Sequence, residues 1–368
     1  MSMLFFLLRL MAAFQVSRCF HSQQQQQLVR LASVRAAETG DGDYRSGFVA
    51  VVGSPNVGKS TLVNAFIGQR LCITTSKAQT TRHSILGLAT GPGYQIALTD
   101  TPGVIEEPAY ALQKSMVVAA KRACRDAEVV LLLTDIFETE DASSRLRQWV
   151  GDLTLNGTQS PPLVVAVNKV DLIRGVNETT GEGLLGPIAM DLVGSEAQAL
   201  QRARDACPDA LAVLPLSATT GDGVQDLKDL IISLLPVSDP VYPMEDDDDD
   251  PLTDRSSRFF AAEIIREQIL EHYSKEIPYS SEVRIEAFRE HLLPDIIEID
   301  ASILVARDSQ KAILIGAKGA AIKDTGIAAR KALEDFFQVP KIRLNLRVKT
   351  QRNWRSDESK LKEFGYMN

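Results

Sequence analysis

Phe48-Val49-Ala50-Val51-Val52-Gly53-Ser54-Pro55-Asn56-Val57-Gly58-Lys59-Ser60-Thr61-Leu62 is the stretch that decides the fold. Its first five residues form an apolar run of the kind that fills a buried strand, and a turn bounded by glycines follows. From Ser60 to Ile67 the spacing becomes helical, with Leu62, Val63, Phe66 and Ile67 on one face. The turn spells G-x-x-x-x-G-K-S, the P-loop pattern. Gly53 and Gly58 allow backbone conformations closed to residues with a Cβ, so that successive amides can converge on one anion. The helix start adds the positive end of its dipole. Lys59 brings a full charge to the β- and γ-phosphates, and the Ser60 hydroxyl is suited to Mg²⁺. The candidate phosphate contacts are therefore Gly53, Ser54, Pro55, Asn56, Val57, Gly58, Lys59, Ser60 and Thr61.

Working outward, the 368 residues offer length for two cores. A net charge of −8 excludes a uniformly basic nucleic-acid binder, so any such surface must be local. Cys19, Cys72, Cys124 and Cys207 form no C-x-x-C pair, which argues against a zinc site or disulfide framework and suits a reducing compartment. Residues 1–44 differ from the rest. No acid precedes Glu38, and Arg9, Arg18, Arg30 and Arg35 are scattered through a Ser- and Gln-containing stretch that starts apolar. This is the composition of an organellar transit peptide, and the apolar run is too short to span a bilayer. Arg18-Cys19-Phe20 followed by His21-Ser22 resembles a mitochondrial processing site, which favours the mitochondrial matrix, with the chloroplast stroma as the alternative.

Beyond the P-loop helix, a strand Gln95–Thr99 runs into Asp100-Thr101-Pro102-Gly103. A carboxylate at a strand end beside a P-loop is where a metal-anchoring acid belongs. Gly103, without a side chain, lets its amide approach a γ-phosphate. A helix over Tyr110–Asp126, a buried strand Val129–Asp135, a helix Asp141–Leu153 and a strand Leu163–Val167 lead to Asn168-Lys169-Val170-Asp171. A carboxylate at Asp171 can accept from both N1–H and the 2-amino group of guanine, a pair that adenine lacks. A site left with an unpaired buried acceptor by the wrong base discriminates by roughly 10⁴-fold. Asn168 would tie this loop to the P-loop, and the Lys169 stem can cover the purine face. Ser217-Ala218, after the strand Val213–Leu216, would reach the guanine oxygen, and the helix Gly223–Leu235 closes the domain.

These motifs, in this order and each at a strand end, resemble the translation-factor-related GTPases. The unit Lys77-Ala78-Gln79-Thr80-Thr81-Arg82-His83 narrows the resemblance to Era, the KH-domain GTPase of ribosome assembly. The resemblance implies a mainly parallel α/β sheet with helices on both faces, and Mg²⁺ held with GTP by Ser60, Asp100 and a switch I threonine. Thr81 is carried over for that role, with Thr80 as the alternative. The switch residues would be Thr80, Thr81, Asp100, Thr101, Pro102, Gly103 and Val104. Val104 stands where Ras-like GTPases carry a water-orienting glutamine, and valine has no hydrogen-bonding group, so slow intrinsic turnover is expected. In related GTPases with this replacement an asparagine at the position of Asn56 helps to hold K⁺ near the phosphates.

Residues 174–210 are longer than usual in the family and carry an expected helix near Ser195–Ala206. The stretch 237–253, with its prolines and the run Asp246–Asp250, reads as an acidic linker. It divides a GTPase domain, 45–236, from a C-terminal domain, 254–368. There an amphipathic helix is expected over 255–270, its apolar side at Phe260, Ile264, Ile265 and Ile269, followed by strands near Glu282–Phe288 and Ile296–Leu304. Gly316-Ala317-Lys318-Gly319 then forms a G-x-x-G turn before a helix of small residues. In an α+β type II KH module such a turn grips the sugar–phosphate of about four single-stranded nucleotides. Between Arg307 and Arg355 there are twelve Lys/Arg against four Asp/Glu, a local basic patch on an acidic chain. Gly316, Ala317, Lys318, Gly319, Lys323 and Arg330 are the candidate RNA contacts. By resemblance the partner is the 3′ region of small-subunit rRNA and the small ribosomal subunit of an organelle. No DNA partner is implied, and a peripheral membrane contact stays open. The rival is an RNA chaperone that uses nucleotide as a clamp with negligible turnover.

Overall fold

The computed structural model describes residues 44–75, 77, 79–105, 107–154, 160–175, 193–243, 252–291 and 296–367. The N-terminal segment, Ser76, Ala78, residues 176–192 within the 174–210 segment and the run Asp246–Asp250 lie outside the described residues.

Six strands form one sheet in the order β2-β3-β1-β4-β5-β6. They are β1 (Arg45–Gly53), β2 (Ile85–Gly91), β3 (Tyr94–Asp100), β4 (Val129–Asp135), β5 (Leu163–Asn168) and β6 (Ala212–Pro215). The order turns back at β1, whose carboxyl end carries the P-loop. β4 and β5 pair in parallel with Asp135 opposite Asn168, and β5 and β6 pair in parallel with Val167 opposite Pro215. Continuous apolar runs such as Val129–Leu133 are what a strand covered on both faces requires, and these residues are buried. The intervening helices are α1 (Lys59–Ile67), α2 (Ala111–Asp126), α3 (Glu140–Thr154), α4 (Glu196–Ala206) and α5 (Val224–Leu234). Ser195 caps α4 in a capping box with Gln198, which starts the helix where its sequence predicts.

A second sheet has the order β7-β8-β9, from Ser281–His291, Ile296–Val305 and Lys341–Thr350. β7 and β8 are antiparallel with a bulge between Ile285 and Ala287, whereas β8 and β9 are parallel. Parallel pairing needs a crossover, and α7 (Asp308–Ile315) with α8 (Ala320–Phe337) supplies it. Ile264, Ile265 and Ile269 of α6 (Ser257–His272) share a core with Ile299, Ile303, Leu314, Ala329 and Leu333.

By contact density the chain forms two compact units. One comprises the described residues up to Val49, Ala89–Ala97 and Ala127–Asp250; the other comprises Ala50–Leu88, Leu98–Asp126 and the described residues from Pro251 onward. In the second unit α6 departs from the amphipathic expectation. Its predicted apolar side is buried, but so are Glu263, Arg266, Glu267 and Gln268. The segment from Arg70 to Leu88 covers that polar side. Arg266 donates to the Thr80 carbonyl at 2.5 Å and pairs with Glu263. Glu267 accepts from Thr74 N–H at 3.2 Å and pairs with Arg70. Lys77 donates to the carbonyls of Leu270 and Tyr273, at the helix end where the dipole favours a cation. Burial raises the Glu263 carboxyl, but the Arg266 charge more than offsets this and holds it below its usual range.

Candidate functional site

The residues expected on the phosphate side all lie in the second unit. β1 delivers the chain to the loop, and Gly58 caps α1 in the left-handed region at φ 99°, where a Cβ would be strained. Asn56 also takes positive φ, at 65°. Lys59 is buried and donates to the carbonyls of Gly53 at 3.1 Å and Ser54 at 2.8 Å, which curls the loop around its ammonium.

Three oxygen-bearing side chains meet beside it. Ser60 Oγ donates to Asp100 Oδ2 at 2.7 Å, and Thr81 Oγ1 lies 2.8 Å from Ser60 Oγ and 3.3 Å from Asp100 Oδ2. The neighbouring Thr80 hydroxyl faces elsewhere, donating to the Lys77 carbonyl at 2.6 Å. Geometry thus brings Thr81, and not Thr80, to Ser60 and Asp100. Asp100 is fully buried, and its Oδ1 has no hydrogen-bond partner. Burial raises the Asp100 carboxyl above its usual range even against the Ser60 bond and the Lys59 charge. An orphaned buried carboxylate oxygen among hydroxyls is a donor set that fits a hard divalent cation such as Mg²⁺. Cys72 also touches Asp100; burial and that carboxylate push its thiol well up. Asn64 fixes the Cys72 backbone, accepting from its N–H at 2.7 Å and donating to its carbonyl at 2.9 Å. No motif in the sequence signals this neighbour.

After Asp100, Thr101 is a structural clamp, its hydroxyl donating to the Val51 carbonyl at 2.7 Å. Gly103 approaches the P-loop so closely that a Cβ there would meet Pro55 Cα at 3.0 Å. Val104 is buried and its amide donates to the Gly53 carbonyl at 3.2 Å.

The residues expected on the base side lie in the first unit. Asn168 Oδ1 accepts from the Ala218 amide at 2.9 Å, so the Asn168 and Ser217-Ala218 loops are joined directly. Lys169 takes φ 68° and pairs with Asp135, a partner that no sequence motif signals. Asp171 opens a one-turn helix, Asp171–Arg174, and its carboxylate has no hydrogen bond among the described residues. That leaves both oxygens available as acceptors.

In the C-terminal domain the G-x-x-G turn has a distinctive backbone. Gly316 (φ 71°, ψ 179°), Lys318 (φ 51°) and Gly319 (φ 79°) all take positive φ. A Cβ on Gly316 would lie 2.6 Å from Ala321 Cβ, so glycine is obligatory for the turn to meet α8. Ala317, Lys318 and Lys323 are exposed, and Ile313 and Ile327 are exposed apolar residues on the flanking helices. Arg330 sits eleven residues beyond Gly319, about 16 Å along α8, and pairs with Glu334 at 3.1 Å.

Comparison with known proteins bears on both halves. The family described as 50S ribosome-binding GTPase matches residues 48–169, and the KH domain family matches residues 276–355. The chain is 40% identical to the GTPase ERA-like, chloroplastic protein of Arabidopsis thaliana, covering 88% of this chain and 69% of that one. It is 38% identical to GTPase Era of Geobacter metallireducens, over 89% and 99% of the two chains. A crystal structure of a single-substitution variant of Aquifex aeolicus Era bound to GDP·AlF4⁻ aligns with TM-score 0.74 at 32% identity, over 88% of this chain and 100% of that one. A crystal structure of Era with MgGDPNP and nucleotides 1506–1542 of 16S ribosomal RNA aligns with TM-score 0.75 at 32% identity and the same coverage.

Proposed function

The chain belongs to the Era-type GTPases, and from that premise we propose that it couples GTP hydrolysis to binding of small-subunit rRNA during assembly of an organellar small ribosomal subunit. The convergence of Ser60, Thr81 and the unpartnered Asp100 oxygen beside Lys59 carries this reading. Ser60, Thr81 and Asp100 would hold Mg²⁺ with the nucleotide. Gly53 to Thr61 and Gly103 would contact the phosphates, and Asn168, Lys169, Asp171, Ser217 and Ala218 the guanine. Mg²⁺ held there would supply charge neutralisation at the phosphates. The chain's own part is to seat them against the loop amides and Lys59, and to order Thr81 and the Asp100–Val104 turn around them.

With valine at 104, water must be oriented by backbone and switch groups, and Asn56 would hold K⁺ near the phosphates. Hydrolysis rates in KCl and NaCl at matched ionic strength test this: faster turnover in KCl is expected, and equal rates remove K⁺ from the account. For RNA, Gly316, Ala317, Lys318, Gly319 and Lys323 would grip the backbone of the 3′ region of the small-subunit rRNA, as the Era structure with a 16S fragment suggests by analogy. Arg330 would act only at the far edge. The domain limits 45–236 and 254–368 belong to this proposal; near the first of them Arg45 bridges Val237 and Ser238 N–H donates to the Tyr44 carbonyl at 3.0 Å, so the two ends of that stretch lie side by side. Residues 1–44 would direct import. The chloroplastic names of the plant relatives favour the chloroplast stroma over the mitochondrial matrix suggested by Arg18-Cys19-Phe20. Fusing residues 1–44 to a fluorescent protein tests the compartment. No helix among the described residues is long and apolar enough to cross a membrane. The decisive experiment is phosphate release with and without a 3′ rRNA fragment; binding of both ligands with no turnover would leave the clamp reading instead.

A further inference from the structure

The chain does not end with the last KH strand. After Thr350 it makes a single turn at Trp354–Ser356, a short helix α9 (Glu358–Glu363) and a final turn to Tyr366. A tail with no packing duty would expose its aromatic residues, yet Trp354 and Leu361 are completely buried and Tyr366 nearly so. They are not buried against the KH sheet core. They share a separate cluster with Leu112 and Met116 of α2, flanked by Ile105, Tyr110 and Phe364. Ile105 directly follows Val104, and Tyr110 precedes α2, so the tail lies on the segment that follows the Asp100–Gly103 turn. Arg355 adds a polar contact to it, with its guanidinium 4.8 Å from the Tyr110 ring centroid.

The same tail also holds the other switch. Tyr366 stacks on His83, with ring centroids 4.1 Å apart and planes 13° from parallel. Its hydroxyl donates to Glu282 at 2.7 Å, and Glu282 pairs with Arg82 at 3.2 Å. The Arg82 guanidinium lies 5.9 Å from the Trp354 ring, and Trp354 Nε1 donates to the Ser280 carbonyl at 3.0 Å. Arg82 and His83 are the two residues after Thr81. One short C-terminal element therefore grips the chain one residue past Thr81 and one residue past Val104. Peptide geometry permits about 3.8 Å between successive Cα atoms, so neither Thr81 nor the Val104 turn can move far while these anchors hold.

We propose that the tail from Trp354 to Tyr366 is a clasp that joins switch I to switch II and sets the rate of GTP hydrolysis. It acts by holding Thr81 and the Asp100–Val104 turn in the arrangement that the chemical step needs. This supplies, from the end of the chain, part of the ordering that a glutamine at 104 would give. Arg355 and Tyr366 are thus positioning residues; neither reaches the reacting atoms. The inference rests on the reading of Thr81 and Asp100 as the residues on the metal side of the nucleotide.

The test is single-turnover GTP hydrolysis by the full chain in Mg²⁺ and KCl, with affinities for fluorescent GDP and for a non-hydrolysable GTP analogue measured alongside. Tyr366→Leu removes stack and hydroxyl, Tyr366→Phe keeps the stack, and Arg355→Gln loosens switch II from a partly exposed site where folding is not at stake. Misplacing reacting groups by a fraction of an ångström is costly, so the hydrolysis rate of Tyr366→Leu is expected to fall about tenfold and that of Arg355→Gln about threefold. GDP affinity should stay within about twofold, and Tyr366→Phe should recover most of the rate. Unchanged or faster hydrolysis in folded Tyr366→Leu and Arg355→Gln overturns the clasp. So does a loss of GDP affinity and thermal stability in step with the rate, since that is only a structural defect. A parent chain that binds no Mg·GTP would instead strike at the GTPase assignment, and the clasp would fall with it.

Discussion

Removing the Arg82 guanidinium should cost the second unit far more than an ion pair usually does. Arg82 is 4% exposed; it donates to the carbonyls of Ser281 and Pro278 at 2.8 Å each and pairs with Glu282 at 3.2 Å. In Arg82→Ala the two carbonyls lose these donors and Glu282 remains buried without its ion-pair partner, with only the Arg266 charge left to oppose the burial. Breaking one partner of a buried pair costs about 3–5 kcal/mol. The Tyr366 hydroxyl still donates to Glu282, which points to the lower end, about 3 kcal/mol. The pH dependence identifies the cause. Burial already raises the Glu282 carboxyl and Arg82 opposes that rise, so the variant raises it further. An acid whose folded pKa exceeds its unfolded value holds more protons when folded. Its stabilising contribution is complete below the unfolded value and is lost as pH rises through the folded one. The loss in Arg82→Ala should therefore be smaller at pH 5 than at pH 7, and Arg82→Met with Glu282→Gln should recover part of it. Urea unfolding followed by Trp354 fluorescence, in a Trp149→Phe background, measures all three. A loss below about 1 kcal/mol that is flat with pH, as for an exposed pair, would refute the reasoning.

Burial lowers His83 to about 4, against an ordinary 6.5. A depressed base is stabilising above the unfolded value, and that contribution is lost as pH falls toward the folded one. Compared with His83→Phe, the parent should thus lose up to about 3 kcal/mol between pH 6.5 and pH 4 and show no difference in slope above that window; calorimetry of both proteins checks it. Gly316→Ala forces a Cβ to 2.6 Å from Ala321 Cβ in a backbone region reserved for glycine. RNA affinity should fall at least about tenfold while Mg·GTP affinity is unchanged, as filter binding and nucleotide titration would read. Lys318→Ala should weaken RNA binding and reduce the slope of log affinity against log salt by about one, measured as a salt series on a single-stranded rRNA fragment.

Much of this is legible in the chain because strand-end motifs are local. Gly53 to Thr61, Asp100 to Gly103 and Asn168 to Asp171 each carry their proposed chemistry within a few residues, and the strands before them are continuous apolar runs. The G-x-x-G turn is local in the same way. What cannot be read depends on residues far apart in sequence. Adjacent Thr80 and Thr81 are equivalent until geometry turns one hydroxyl to Ser60 and Asp100 and the other to the Lys77 carbonyl. The polar side of α6 suggests a solvated face, because Arg70, Thr74 and Thr80, which meet it, precede it by nearly two hundred residues. Pairing Glu263 with Arg266 on the same helix turn makes that burial tolerable, but the pattern E-x-x-R is equally at home on a surface. Trp354, Leu361 and Tyr366 carry no motif at all, and only their burial against α2 and His83 gives them a role.

The proposed function gives the phosphates to the glycine turn at Gly53–Ser60 and the choice of base to the carboxylate of Asp171. Equilibrium competition between Mg·GTP and Mg·ATP on the folded full chain tests it most directly. A preference for GTP of about 10⁴-fold is expected, greatly reduced in Asp171→Ala while the Mg²⁺ requirement persists. Equal affinity for ATP, or binding of neither nucleotide by the folded protein, would contradict it.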